Sequence, residues 1–345
     1  MSTRSTGCTV SIRTSPALRR STDSIDSLPP ASAMLGFRFA VTATRPRARA
    51  DWITFARSVE AAGFDTLLMP DHFGARLAIG PALVLAAEVT EGLRVGSFVY
   101  NNDFRHPALL AQEAATIDVL TGGRFDLGIG AGWLRGEYEG AGIPFDAGSV
   151  RVARLGEAIR IIKELMTQTP ITQVGVHYRL TNLTGCCKPA QQPHPPFLVG
   201  GGGPKLLALA AREADIISIM PRSKADGAGL EDADASAEAF DKKVALIREA
   251  AGDRFFRLRL NTLVQAVRLT DDREKVAAEV AGEWAMSPTQ LLESPLLLIG
   301  TVDQMVDQVR ARRDRFGLSY VTVFERDMTS FAGVLERLAE DRASA

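Results

Sequence analysis

Cysteine is scarce in this chain. Cys8, Cys186 and Cys187 are its three cysteines, too few for a disulfide framework, and no pair of histidines lies near them at a zinc-site spacing. Reduced thiols in a cytosolic protein are the expectation. An excess of charge of one sign is also missing. Lys and Arg total 40 against 41 for Asp and Glu, a formal net charge of -1, so there is no electrostatic footprint for a nucleic-acid backbone or an anionic lipid surface. Long apolar runs are absent too. The stretch 206–211 is short and followed by charge, far from the roughly 20 apolar residues of a membrane-spanning helix. What remains is a chain of 345 residues, 46% hydrophobic and 23% charged, long enough for one large domain or two ordinary ones. A soluble protein acting on small molecules is expected, with neither nucleic acid nor membrane as a partner and no metal site.

Residues 1–33 are rich in Ser, Thr, Arg and Pro and lack apolar periodicity, which predicts a disordered N-terminal extension. Asp23 and Asp26 argue against a transit peptide, and Met34, directly before the first strand, is a candidate translation start. Residues 34–345 read as one domain. Strand-like segments at 37–42, 66–70, 94–99, 124–129, 197–200, 216–220, 258–267 and 320–324 alternate with helical patterns at 49–62, 107–120, 150–166, 204–213, 235–250, 272–284 and 302–316. Eight strands with covering helices predict a closed (β/α)8 TIM barrel in preference to an open doubly wound sheet. Two connections are long: an insertion before the fifth strand, 168–196, and a loop after the sixth, 222–236, read equally as a mobile lid or a disordered excursion.

In a barrel the reactive side chains follow the C-terminal ends of the strands. The second strand ends in Met69-Pro70-Asp71-His72-Phe73. Asp71 is placed to fix the tautomer of His72 or raise its pKa, and His72 to move a proton; the alternative is a helix cap and a structural hydrogen bond. The fourth strand ends Gly128-Ile129-Gly130-Ala131-Gly132-Trp133. Alternate glycines leave one strand face bare, either for a flat polycyclic ring or for close packing. After the fifth strand, Gly200-Gly201-Gly202-Gly203-Pro204-Lys205 opens a helix, a combination suited to binding a phosphate on backbone amides; a flexible turn is the alternative. Asn101 and Asn102, after the third strand, are candidates to hydrogen-bond a heteroaromatic edge, and His106 is expected to have a structural role before Pro107.

Taken together, Gly63-Phe64-Asp65, Met69-Pro70-Asp71-His72, Arg105-His106-Pro107, Gly122-Gly123-Arg124-Phe125 and Gly128-Ile129-Gly130-Ala131-Gly132-Trp133 resemble luciferase-like monooxygenases, the deazaflavin-dependent branch most closely. The resemblance spans roughly Gly36 to Glu325. It implies coenzyme F420 on the C-terminal face, held by Asp71, Ser97, Phe98, Asn101, Gly130, Gly132, Trp133 and the run Gly200, Gly201, Gly202, Gly203, Pro204 and Lys205. It also implies a non-prolyl cis peptide between Ser97 and Phe98, catalytic roles for His72 and Asp71, and a homodimer. One position departs from the branch. Trp133 stands where relatives that oxidise sugar phosphates have a glutamate, which argues for a hydrophobic substrate and leaves Glu137, one helical turn on, as a partial replacement for the acid. FMN with monooxygenase chemistry is the alternative, and a non-catalytic flavin-binding barrel a second alternative.

Overall fold

The computed structural model describes residues 35–168 and 170–339; the expectations for residues 1–33, Met34 and Cys8 fall outside them. Short apolar runs form β1 (Arg38–Thr42), β2 (Thr66–Met69), β3 (Arg94–Ser97), β4 (Tyr100–Asn101) and β5 (Phe125–Gly130), followed by the hairpin of β6 (Ile171–Val174) and β7 (Arg179–Leu183). Then come β8 (Phe197–Gly201), β9 (Ile216–Ile219), β10 (Arg259–Val264), β11 (Ala266–Leu269), β12 (Leu297–Gly300) and β13 (Leu318–Phe324). The principal sheet runs β3-β2-β1-β13-β10-β9-β8-β5-β4, and a β3–β5 pairing closes it. Since β4 only continues β3 beyond a kink, the result is a closed barrel of eight parallel strands, as expected.

The covering helices are α1 (Arg49–Ala61), α2 (Ile79–Glu88), α3 (Pro107–Leu120), α4 (Arg135–Ala141), α5 (Gly148–Thr167), α6 (Pro204–Glu213), α7 (Ala237–Ala251), α8 (Arg273–Val280), α9 (Pro288–Glu293), α10 (Val302–Phe316) and α11 (Met328–Arg337). Three have the predicted bounds because their ends carry local signals. Proline occupies the first turn of α3 and of α6, and α10 runs from a Thr301–Gln304 capping box to Gly317 at φ 75°, a left-handed stop that suits glycine. α2 escaped the sequence reading: six of its ten residues are buried, so it lacks the polar stripe that makes a helix legible.

Two further corrections concern the second half. The seventh segment is not one strand: it breaks at Gln265, and β11 leaves the barrel to pair with β12. The long connection after β9 is not a disordered excursion but an ordered hairpin, 222–231, followed by a 3-10 turn, Asp232–Ala235.

Inside the barrel, Ala40, Leu68, Leu198, Ile216 and Tyr320 pack into an apolar plug. Below it, towards the strand N-termini, Asp126 is fully buried and binds both Arg38 and Arg94, the latter at 2.6 Å. Burial pushes the Arg38 guanidinium down, but Asp126 and the Tyr320 phenol oxygen outweigh it and hold it above the ordinary arginine value. A cleft of about 460 Å³ opens at this end, lined by Arg38, Asp65, Arg94 and Arg259; in barrels this end serves stability. Removing the shared carboxylate strands Arg38 without its counter-ion. Asp126→Ala is therefore expected to lose about 3–5 kcal/mol, measured by urea unfolding; an unchanged midpoint would contradict the pairing.

Candidate functional site

All eight strands run parallel, so their C-terminal ends share one face. Four consecutive barrel strands, β2, β3 with β4, β5 and β8, bring the Asp-His pair, the kink, the glycine-tryptophan run and the tetraglycine turn to that face.

The partner of His72 is Glu137. Asp71 turns away from His72: its carboxylate binds Arg105 at 2.6 and 3.1 Å and accepts the Asn101 amide at 2.9 Å. The expected Asp71–His72 couple is thereby corrected. Glu137, from the first turn of α4, brings its two oxygens to 2.9 and 3.0 Å from His72 Nδ1 and accepts the Phe73 amide at 3.0 Å. A carboxylate only accepts, so Nδ1 carries the proton and Nε2 is left to exchange one. The Trp133 ring stands edge-on to the imidazole, with centroids 6.1 Å apart. The His72 and Glu137 side chains are 27% and 14% exposed, enough for solvent and substrate to reach the pair.

A second set of contacts holds the kink. The cis peptide lies at Phe98–Val99, not at Ser97–Phe98. Ser97 is fully buried, donating to the Gly128 carbonyl at 2.7 Å and accepting the Gly128 amide at 2.8 Å. A Cβ on Gly128 would fall 1.9 Å from the Ser97 carbonyl oxygen, on Gly130 2.7 Å from the Val99 side chain, and on Gly132 1.8 Å from the Tyr138 hydroxyl. The bare strand face is filled by the chain itself, so close packing, rather than room for a ring, accounts for the alternate glycines. Tyr138 donates to Asn101 Oδ1 at 3.0 Å and lies 3.1 Å from Asp103. Burial, with Asp103 alongside, pushes its hydroxyl well above the ordinary tyrosine value, which keeps it a donor. The oxygen of Asn101 is thus taken up in bracing, and the amide of Asn102 binds Tyr178 at 3.2 Å. His106 accepts the Ala108 amide at 3.2 Å and caps α3.

Arg105 and Tyr138 were absent from the sequence-based site. Their roles depend on contacts 34 and 37 residues away; α4, seven residues with two glycines, is too short to show a period.

At the turn after β8, Gly203 is the N-cap of α6 and Pro204 opens the helix. A Cβ on Gly202 would strike the Met220 carbonyl at 2.1 Å, whereas one on Gly203 would meet nothing within 4 Å. The amides of Gly203, Lys205 and Leu206 fall where no helical carbonyl reaches them. An open cradle with free donors fits a phosphate. Among the described residues no group of three His, Cys, Asp or Glu side chains could hold a metal, and no helix is long and apolar enough to cross a membrane.

The chain is 33% identical over 169 residues to an FMNH(2)-dependent dimethylsulfone monooxygenase of Pseudomonas putida, covering 46% of each. It is 32% identical over 192 residues to an F420-dependent glucose-6-phosphate dehydrogenase of Amycolatopsis mediterranei, covering 52% of this chain and 55% of that one. The chain spans about half the length of the curated relatives it matches. In fold it resembles the coenzyme F420 dependent tetrahydromethanopterin reductase of Methanopyrus kandleri, with a TM-score of 0.68, 18% identity and coverage of 87% and 97%. It resembles the EDTA monooxygenase of Chelativorans sp. BNC1 with a TM-score of 0.68, 14% identity and coverage of 88% and 94%. The profile of luciferase-like monooxygenases matches residues 32–319, most of the barrel and every element of the site, and the chain belongs to that family.

Proposed function

We propose that this protein is an oxidoreductase that moves a hydride between coenzyme F420 and an organic substrate of mainly apolar character. The observation that carries the reading is the Glu137–His72 pair beside Trp133, at 2.9 Å, on the same barrel end as the open glycine turn. The turn amides of Gly203, Lys205 and Leu206, with Lys205 nearby, would hold the cofactor phosphate; Trp133 and the half-buried Phe98 would flank the ring. When bound, the deazaflavin supplies the two-electron hydride chemistry. His72 takes or gives the accompanying proton at Nε2, while Glu137 holds Nδ1–H and stabilises the imidazolium. Asp71 and Arg105 act as positioning residues, fixing the kink from below. The indole in place of a glutamate turns this wall towards apolar substrates.

The Pseudomonas putida relative, whose printed activity is an FMNH(2)-dependent monooxygenation, favours a second reading: FMN in the same cradle, with oxygen as the co-substrate. Association as a homodimer also belongs to the proposal. Leu109, Val119 and Leu120 on α3 are 62%, 46% and 60% exposed, an apolar strip suited to a second copy. Sedimentation equilibrium should return twice the chain mass, and Leu109→Glu with Leu120→Glu should return the single-chain mass; a wild-type monomer would remove this part of the proposal.

Fluorescence titration with coenzyme F420 and FMN separates the two cofactors; tight FMN binding without F420 binding reverses their ranking. With the bound cofactor, His72→Ala should lower kcat by roughly 10²–10⁴-fold while leaving the cofactor Kd nearly unchanged, with Glu137→Gln losing less. A rate indifferent to His72 would remove it from the chemistry, and cofactor binding with no turnover would favour a non-catalytic flavin-binding barrel.

A further inference from the structure

The hairpin 222–231 begins at the end of β9 and touches down after β5, and β8 lies between those two strands. It therefore crosses the tetraglycine turn that follows β8. Its own backbone is closed by Lys224 N–H to Gly229 O at 2.8 Å and Glu231 N–H to Arg222 O at 2.8 Å.

The two ends of the crossing are held very differently. At the base, Arg222 pairs with Glu231 at 2.9 Å and its amide donates to Asp234 at 2.7 Å. Lys243, largely buried, binds Asp234 at 2.7 Å and the Met220 carbonyl at 3.0 Å. Gly202 lets this base lie directly on the turn, since a Cβ there would be 2.7 Å from the Arg222 nitrogen. At the tip the attachments to α4 are few. The Arg135 amide donates to Gly227 O at 3.2 Å and Arg135 Nε to Asp226 O at 2.7 Å. Gly227 is buried at φ +71°, and a Cβ there would come 2.8 Å from Arg135 Cβ and 2.9 Å from the Trp133 carbonyl. Only glycine permits this contact. A segment anchored by ion pairs at one end and by two hydrogen bonds at the other opens at the weaker end first.

We propose that the hairpin 222–231 is a strap over the phosphate turn, latched at Gly227 against Trp133 and Arg135, and that a phosphate-bearing cofactor enters and leaves only when the latch opens. The proposal rests on the reading of the glycine turn as a phosphate site. It gives Gly227 a positioning role distinct from the His72 chemistry. It also links the strap to the wall of the ring pocket, because the latch closes on the backbone of Trp133 itself.

The test compares release of coenzyme F420 and of FMN with release of the corresponding ring compounds without phosphate, deazaflavin riboside and riboflavin, by stopped-flow fluorescence. Gly227→Ala should release the phosphate-bearing cofactor about tenfold faster or more, with release of the phosphate-free ring changed much less. A second variant guards against misfolding. Arg135→Ala keeps Gly227 and, of the latch, removes only the Arg135 Nε bond to the Asp226 carbonyl; it should speed release of the phosphate-bearing cofactor in the same direction. If the wild type holds riboflavin or the riboside as tightly as its phosphorylated form, the phosphate reading fails and the strap with it. If the wild type discriminates but neither variant alters release, the strap alone is overturned.

Discussion

The backbone between β3 and β4 passes so close to β5 that Gly128 and Gly130, on the same inner face as Asp126, cannot carry a side chain, and just past the strand Tyr138 closes the space over Gly132. Gly128 lies under the Ser97 carbonyl, Gly130 under Val99 and Gly132 under the Tyr138 hydroxyl, and a methyl group at any of them would have to displace backbone, a packed side chain or a buried phenol. From this contact the rest of the site follows. The kink turns Asn101 so that its amide meets Asp71 and its side chain meets Tyr138. Tyr138 seats α4 on the strand end, and the first turn of α4 delivers Glu137 to His72. The chemistry-bearing pair is thus positioned by packing three strands wide.

Electrostatics sorts the polar groups into those that hold and those that act. Asp71 and Arg105 satisfy each other, with the guanidinium stacked 4.5 Å above the Tyr100 ring and Tyr100 in turn donating to Glu113 at 2.8 Å. Asp103 is engaged by Arg154 at 2.9 Å as well as by Tyr138. These groups have their partners and serve as scaffold. His72 alone among them keeps a ring nitrogen uncommitted beside an aromatic wall, which is what a proton-transfer group requires.

Periodicity and caps made the barrel legible: eight apolar segments at βα spacing and the Pro and Gly punctuation of α3, α6 and α10 were enough for the architecture. Motif order made the family legible. The internal wiring was not. Asp71 and His72 are neighbours in sequence, which suggested a couple, yet Asp71 goes to Arg105 and the Asn101 amide while His72 goes to Glu137. Gly130 and Gly132 looked like vacant space, whereas Val99, about 30 residues upstream, fills the first and Tyr138 of α4 the second, contacts that no local pattern encodes. The segment 222–236 was half legible: its Asp-, Gly- and Ala-rich composition left a mobile lid and a disordered excursion equally open, and its order comes from Arg222, Asp234 and Lys243 meeting in the fold.

If glycine packing sets the catalytic pair, the state of the His72 imidazole should report it. The decisive measurement is the nitrogen-15 spectrum of the histidine side chains in the wild type and in Gly132→Ala. The account predicts a wild-type His72 with its proton on Nδ1, and loss of that fixed tautomer in the variant as Tyr138 and α4 are pushed away. A wild-type proton on Nε2, or an identical tautomer in both proteins, would contradict it.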